Sequence, residues 1–127
     1  MATIIEDYVS FETAKLLKEK GFDWNCITYY VDSNHNNVQY SMLFENNTTW
    51  EECCCSAPTH QMAMKWIREV HNINIDIVSV WNQKRFEYQV FVVTPENAKH
   101  CYIDDKLYLG YEEAVEAGLK YCLENLI

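Results

Sequence analysis

The sequence predicts an α+β fold, in which an antiparallel sheet of four to five strands carries three helices in the order αββ-αββ-(β)-α. Two observations support this fold class. Segments with apolar residues at helical spacing are interleaved with alternating strand segments, and residues 53–81 contain a stop, an amphipathic helix and an alternating strand in succession. The 127 residues are 49% hydrophobic, which is enough to build the core of a single domain, 1–127, without disulfides or metal.

A helix and a hairpin are predicted over the first third of the chain. Ser10 is suited to cap the helix and Gly21 to end it. A turn of polar residues then separates two strands. The predicted bounds are 11–20 for the helix, 26–32 and 38–44 for the strands, and 33–37 for the turn. The apolar faces comprise Phe11, Ala14, Leu16 and Leu17 on the helix and Val38, Tyr40, Met42 and Phe44 on the second strand.

The middle of the chain predicts a second helix after a segment with two interpretations, since residues 48–54 fit either a short strand or a loop. Pro58 suits the first turn of a helix that begins at about residue 58 or 59 and ends at His71, because a missing N–H has no consequence there. Trp66 lies mid-helix, so we expect it to be buried against the sheet. The apolar face of this helix comprises Met62, Ala63, Trp66, Ile67 and Val70.

A second hairpin and a closing helix are predicted over the last part of the chain. Glu112 and Glu113 fall in the first turn of the closing helix, where carboxylates complement the helix dipole. The predicted elements are strands at 73–80 and 85–93 joined by a turn at 81–84, a capped turn at 94–96, a small hairpin over 101–109 turning at Asp104-Asp105, and a helix over 111–126. The apolar stripe of this helix comprises Tyr111, Ala114, Val115, Gly118, Cys122 and Leu126.

The two helix-hairpin units resemble each other at an offset of 50 residues. Residues 14–19 align with residues 64–69, and Ile27 aligns with Ile77. Any two amphipathic helices match about this well by chance, so the sequence leaves open whether the units arose by duplication.

The charge of the chain narrows the classes of partner. Nineteen acidic and ten basic residues give a formal net charge of −9. Contacts to phosphate need Lys and Arg, and the only basic clusters are Lys15-Lys18-Lys20 at a predicted helix end and Lys84-Arg85 in a predicted turn. We therefore predict no direct nucleic-acid binding. A further alternative is an acidic decoy for a DNA-binding partner.

The sequence predicts a cytoplasmic protein without membrane contact. The opening residues lack the basic and apolar regions of a signal peptide, and no apolar run approaches the roughly 18 residues of a membrane span. In a cytoplasmic setting, the six cysteines are expected to be reduced thiols. They are Cys26, Cys53, Cys54, Cys55, Cys101 and Cys122.

The Cys53-Cys54-Cys55 run is the first candidate for a metal site. Adjacent residues of an extended strand point to opposite faces, so Cys53 and Cys55 would share a metal while Cys54 would not. His60 and the distant His100-Cys101 pair would complete four ligands, which requires an unusual spacing. The alternative is that these cysteines are small apolar core residues. We predict that no metal and no cofactor is bound.

The thiols, imidazoles and carboxylates are the candidate catalytic groups of the chain. Cys55 lies a few residues before a helix, where a thiol pKa can be lowered, but no base or oxyanion site accompanies it. His35 and His71 fit a polar turn and a helix end. The carboxylate pairs are adjacent in sequence and do not face each other as an acid–base dyad; they are Glu51-Glu52, Asp104-Asp105 and Glu112-Glu113. No catalytic residue is predicted, and common nucleotide-binding and hydrolase motifs are absent from the sequence.

Three segments resemble a family of small uncharacterised proteins from Bacteroides-type gut bacteria and their phages or prophages. The segments are YVSFETAKLLKEKGF (residues 8–22), SAPTHQMAMKWIREVHNINIDI (residues 56–77) and YEEAVEAGLKYCLENLI (residues 111–127). No biochemical activity is attached to the family, so no functional residue is transferred. The resemblance implies a bacterial cytoplasm and an association with mobile genetic elements.

Taken together, these features predict a small acidic non-enzymatic protein that acts by protein–protein interaction, with a phage or prophage accessory role. The alternative is a small enzyme or ligand-binding protein with a pocket lined by aromatic and Cys side chains. The second sheet face carries apolar residues that need a cover, which is either the helix over 111–127 or a second copy of the chain. Because a two-fold pair is the commonest soluble assembly, a homodimer is also predicted. The apolar residues of that face are Tyr29, Val31, Val78, Val80, Phe91 and Val93.

Overall fold

The computed structural model describes residues 7–80, 84–93, 98–103 and 106–127. The elements are Phe11–Glu19 (α1), Cys26–Val31 (β1), Asn34–Glu45 (β2), Cys54–Ser56 (β3), His60–His71 (α2), Ile73–Val80 (β4), Arg85–Val93 (β5), Ala98–Ile103 (β6) and Tyr111–Asn125 (α3). The chain forms two compact units, Met1–Met62 and Ala63–Ile127. The single domain predicted from the sequence stays a prediction.

The predicted fold class is confirmed. The described residues form three helices and antiparallel strands in an order consistent with αββ-αββ-α. The sequence predicted a single sheet, but the strands form two three-stranded sheets, β2-β1-β3 and β4-β5-β6. One of the added strands, β3, overlaps at Cys54 alone with the segment 48–54 that the sequence left open as a short strand or a loop.

Local sequence signals set both ends of α1. The Ser10 side chain accepts a hydrogen bond from the Thr13 amide at 3.3 Å, which caps the first turn. Gly21 adopts a φ of +92°, and its amide bonds the Lys18 carbonyl while the Phe22 amide bonds the Leu17 carbonyl. This pair of bonds is a Schellman motif. It explains why Phe22 and Leu17 are both buried at the end of the helix.

The first sheet has β1 at its centre, and β1 buries alternate residues. Cys26, Thr28 and Tyr30 are buried, while the residues between them face the opposite side of the sheet. The Tyr30 hydroxyl donates to the Val9 carbonyl at 2.6 Å, and the Thr28 hydroxyl donates to the Ala57 carbonyl at 2.7 Å. These bonds satisfy the polar groups that the inner face buries.

The pairing of β1 with β2 contains an irregularity that matters for the surface. Tyr40 pairs with Thr28, and Glu45 pairs with Cys26. The pairing thus advances two residues along β1 but five along β2, so β2 carries three extra residues there. Extra residues on one strand form a β-bulge, which bends the strand and redirects its side chains.

Helix α2 begins after Thr59 rather than at Pro58. The Thr59 hydroxyl accepts from the Met62 amide at 3.2 Å, as an N-cap side chain does. The Pro58 carbonyl accepts from the Val9 amide at 3.0 Å, so Pro58 belongs to the segment that leads into the helix. At the other end, Asn72 follows His71 with a φ of +60°, which is the left-handed conformation that ends a helix.

In the second unit, α3 packs against β4 and β5. The observed bounds of β4 and β5 coincide with the predicted ones. Tyr88 and Val90 of β5 are buried, and so are Ile73 and Ile75 of β4. The buried residues of α3 are Ala114, Val115, Gly118, Leu119, Cys122 and Leu123.

The third strand distinguishes the two halves of the proposed repeat. In the first sheet β3 pairs with β1, the first strand of its hairpin, whereas in the second sheet β6 pairs with β5, the second strand of its hairpin. The two units therefore differ in topology, which weighs against duplication. Residues 81–83 of the predicted turn at 81–84 lie outside the described residues, and so do the predicted turns at 94–96 and Asp104-Asp105.

Among the helices of the described ranges, none is both long and apolar enough to cross a bilayer.

Candidate functional site

Three consecutive apolar side chains project from β2 into solvent. Met42 is 99% exposed, Leu43 72% and Phe44 71%. We call these three residues the apolar bulge, because they lie where β2 carries its extra residues. The sequence placed Tyr40, Met42 and Phe44 on one apolar face, but the structure leaves all three largely exposed. A side chain of this size is normally buried when the fold provides a site for it.

Hydrogen bonds within β2 stabilise the shape of the apolar bulge. The Ser41 side chain accepts from the Leu43 amide at 3.2 Å and donates to the Glu45 carboxylate at 3.4 Å. Ser41 and Glu45 thus bracket the apolar bulge and link its two ends. The exposure of Met42, Leu43 and Phe44 therefore follows from a defined backbone path.

A cleft of about 470 Å³ lies beside the apolar bulge, within the first unit. Ser41 and Glu45 belong both to its lining and to the ends of the bulge, so the two features are contiguous. The full lining comprises Tyr29, Val31, Ser41, Glu45, Thr49, Trp50, Glu51, Cys53 and Cys54.

The loop between β2 and β3 closes one side of the cleft. Asn46 organises its first turn, because its carbonyl accepts from the amides of Thr49 and Trp50 at 2.9 and 3.0 Å. The Asn46 side chain accepts from the Thr48 amide at 2.9 Å and from the Thr48 hydroxyl. Asn47 then fastens the loop to the sheet, since its side chain accepts from the Ser56 amide at 2.8 Å.

An aromatic pair forms the apolar wall of the cleft. The rings of Tyr29 and Trp50 lie 4.6 Å apart with a 31° tilt. The Trp50 indole N–H donates to the Ser56 hydroxyl at 2.7 Å, which fixes the ring plane. Both rings are half-buried, so the pair is held in place and still offers surface to a ligand.

Two carboxylates give the cleft its charge. Glu45 and Glu51 both line it, and in the part of the chain that the structure describes, neither forms an ion pair with a Lys or Arg. Lys18 is close to the same loop, where its amine donates to the carbonyls of Glu52 and Cys54 at 3.2 and 2.7 Å. Lys18 does not line the cleft.

Two thiols lie together at the edge of the cleft. The sulfur atoms of Cys53 and Cys54 are 3.8 Å apart, and the Cys53 thiol lies 3.9 Å from the Glu51 carboxylate. Desolvation raises the pKa of Cys54 to about 11, and the neighbouring Cys53 and Glu51 act in the same direction while Lys18 opposes them. Cys54 is therefore a protonated thiol at neutral pH.

Among the described residues, the structure does not bring the candidate metal ligands Cys53, Cys55 and His60 together in one site. Cys53 lies in the turn before β3, so the strict alternation assumed for the cysteine run does not apply to it. Cys53 is exposed, whereas Cys55 and His60 are buried. No group of three or more His, Cys, Asp or Glu residues suited to a metal ion occurs in the described ranges.

The candidate nucleophile Cys55 has its pKa moved in the direction opposite to activation. Burial raises it to about 11, and the opposing effects of Lys18 and Lys15 are smaller. A nucleophilic thiol needs a lowered pKa, since the thiolate is the reactive form. Cys55 fits the alternative interpretation of a small core residue.

The remaining candidates are dispersed. The His71 ring packs edge-on against Trp66 with ring centres 4.9 Å apart. Glu112 and Glu113 occupy the first turn of α3, as predicted. Of the pair Glu51-Glu52, only Glu51 lines the cleft. The side chains of His35, His100 and Cys101 lie outside the described part of the structure, and so do Asp104 and Asp105.

The sequence proposed an aromatic and Cys-lined pocket as an alternative but did not locate the cleft, because the lining residues are spread over residues 29–54. The one usable signal for the cleft was the composition of residues 45–57, in which Trp50 stands among eight polar or acidic residues with no clear period. A tryptophan in such a segment indicates a loop that packs onto a surface.

Comparisons with known proteins add no assignment to this geometry. No family model, curated protein or solved structure matches the chain. The function must therefore be inferred from the apolar bulge and the cleft.

We predict that thiol reactivity follows exposure and pKa in this loop. At pH 7.5, iodoacetamide should modify the exposed Cys53 first, with Cys55 protected by burial. In the unsubstituted protein, the initial rate of Cys54 modification should rise about tenfold per pH unit from pH 8 to 10, because the raised pKa keeps the thiolate a minor species throughout that range. Tandem mass spectrometry of labelled peptides measures each site. Labelling of Cys55 as fast as Cys53 would contradict the burial described above.

Proposed function

We propose that this protein is a non-enzymatic interaction module that binds another protein through the apolar bulge. The observation that carries the proposal is the exposure of three consecutive large apolar side chains, Met42, Leu43 and Phe44. Leaving such surface in water forgoes the roughly 25 cal/mol per Å² that its burial provides. A contiguous exposed apolar patch is typical of a protein–protein contact.

The shape of β2 indicates how the partner is engaged. β2 is an edge strand of its sheet, but the extra residues between Tyr40 and Glu45 interrupt its regular pairing. Irregular edges resist the addition of a further strand. We therefore infer contact through side chains: Met42, Leu43 and Phe44 insert into an apolar depression on the partner. Flexible methionine side chains are suited to such surfaces.

Charge indicates the chemistry of the partner. The chain carries a formal charge of −9, and Glu45 and Glu51 line the cleft next to the apolar bulge. A basic rim around the apolar depression would be attracted to this region, whereas a second copy of the chain would be repelled. The partner is therefore proposed to be a basic protein. The homodimer predicted from the sequence becomes one outcome of the test.

The test places a photo-crosslinking amino acid, p-benzoylphenylalanine, at Met42 in the cell that encodes the chain. We expect a discrete crosslinked species that is absent when the same group replaces Leu109, which is also exposed but lies in the second unit. The crosslinked protein is then purified and its affinity measured. We expect the double substitution Leu43→Ser/Phe44→Ser to weaken binding on the order of a hundredfold, as for loss of interface hot spots.

The controls decide between the proposals. Circular dichroism should be unchanged in the double variant, because both side chains are exposed. Affinity for the purified partner should fall with added salt. Equal crosslinking at Met42 and Leu109, or unchanged affinity of the double variant, would contradict the proposal. A crosslink to a second copy, with a 30 kDa species in sedimentation, would replace the basic partner by the homodimer.

A second candidate is a small-ligand-binding protein, and the cleft favours it. Aromatic and Cys side chains line the cleft, as the alternative from the sequence requires, and its volume lies within the range of ligand pockets. The resemblance to small phage and prophage proteins supports an accessory role for either candidate. The probes described below for the cleft also test this second candidate.

A further inference from the structure

We propose that the cleft beside the apolar bulge binds the guanidinium group of an arginine on the partner protein. This inference rests on the proposed function, because the partner supplies the arginine. It adds a specific chemistry to the contact: the apolar bulge inserts into the partner while one partner side chain inserts into the cleft.

The aromatic wall suits a flat cation. Tyr29 and Trp50 lie in contact at 4.6 Å between ring centres, and the bond from Trp50 to Ser56 holds the indole in place. Aromatic faces attract cations through the negative charge on the ring face. Arginine also stacks its guanidinium plane on such rings, and its exposed apolar stem would lie along Val31.

The carboxylates supply the hydrogen-bond acceptors. Glu45 accepts one weak bond from Ser41 at 3.4 Å, and Glu51 contacts the Cys53 thiol at 3.9 Å. Each carboxylate can accept about four hydrogen bonds, so both retain acceptor capacity. A guanidinium carries five N–H donors arranged for bidentate contact with carboxylates. Among the described residues that line the cleft, none is a Lys or Arg that would compete.

The position of the cleft explains why a partner side chain would reach it. Ser41 and Glu45 line the cleft and are also the residues that flank Met42, Leu43 and Phe44. A partner seated on the apolar bulge therefore places its rim over the cleft mouth. Burying Glu45 and Glu51 beneath a partner would be unfavourable unless a cation neutralised them.

The experiment uses acetyl-arginine amide as the probe and the ¹H–¹⁵N NMR signals of the whole chain as the readout. We expect saturable shifts of the Trp50 indole N–H and of the amides around Tyr29, with a dissociation constant on the order of 1 mM. Acetyl-citrulline amide has the same shape without the charge, so it should bind at least tenfold more weakly.

Substitutions then test the residues. The double variant Glu45→Gln/Glu51→Gln should bind acetyl-arginine amide more weakly, on the order of tenfold or more. Glu52→Gln is the matched control, because Glu52 is an exposed carboxylate in the same loop that does not line the cleft. Its affinity for the probe should stay within about twofold of the unsubstituted protein.

Each outcome supports or overturns the inference. Absent shifts at Trp50, equal binding of citrulline, or equal losses in Glu52→Gln and the double variant would overturn it. Agmatine binding at least tenfold more tightly than acetyl-arginine amide would also overturn it, and would favour the small-ligand candidate.

The same probe separates this inference from the proposed function. The variant Leu43→Ser/Phe44→Ser should still show the NMR shifts caused by acetyl-arginine amide, but it should no longer bind the partner protein. If the partner is lost in that variant and the probe never binds, only the inference fails. If the probe binds but the partner tolerates the double substitution, the proposed contact through the apolar bulge fails and the cleft keeps its cation site.

Discussion

Trp66→Ala should lower the free energy of unfolding by about 3–5 kcal/mol, the range for removal of a large buried aromatic side chain. Trp66 is only 2% exposed and is one of the largest fully buried side chains. Its neighbours on α2, Ala63 and Ile67, are fully buried as well. Alanine would leave a cavity among these residues and would expose one edge of the His71 ring that packs on the indole.

Urea unfolding followed by circular dichroism at 222 nm measures this effect. Val70→Ala is the matched control, because Val70 lies on the same helix but is 50% exposed; we expect less than about 1 kcal/mol for it. Trp66→Phe should fall between the two variants, since it retains part of the buried volume. A Trp66→Ala midpoint equal to that of the unsubstituted protein would show that the indole contributes nothing to the core.

Gly118→Val should destabilise the protein by about 1–3 kcal/mol through overpacking. A Cβ atom at Gly118 would lie 2.9 Å from the Ile75 Cγ2 atom and 3.3 Å from the Tyr88 ring. These contacts come from β4 and β5, against which α3 packs. The absence of a side chain at residue 118 therefore sets how closely the helix approaches the sheet. Valine has the better helix propensity, so any loss of stability must come from tertiary packing.

Gly110→Ala provides the control for this variant. A Cβ atom at Gly110 would meet only the Glu112 and Glu113 side chains, at 3.7 Å or more, and its φ of −116° suits any residue. The urea midpoint of Gly110→Ala should shift by less than half as much as the urea midpoint of Gly118→Val. Equal shifts in the two variants would mean that the close approach of α3 to β4 and β5 does not limit the size of residue 118.

The sequence itself determined the elements whose ends depend on local chemistry. Ser10 and Gly21 predicted the ends of α1 because a side-chain cap and a left-handed residue act within one turn of the helix. The bounds of β4 and β5 followed from alternation. Helix caps and strand alternation depend on residues that are close in the sequence, so they can be recognised without knowledge of the tertiary structure.

Tertiary structure alone decided which apolar residues are covered. Alternation grouped Met42 with Tyr40 and Phe44, but the extra residues in the pairing of β2 with β1 leave them in solvent. Strand register depends on a partner strand, and a shift in register changes the side chains presented to each face. The division of the strands into two sheets follows from the same kind of long-range pairing.

The candidate site depends on tertiary structure for the same reason. Tyr29 and Trp50 meet only because the loop before β3 folds back over β1, where Asn47 and Trp50 bond to the Ser56 backbone and side chain. The sequence predicted, as an alternative, a pocket lined by aromatic and Cys side chains. It did not predict which of these residues would line the pocket. Which of them share a cleft was decided by contacts between residues far apart in the chain, and no local pattern encodes such contacts.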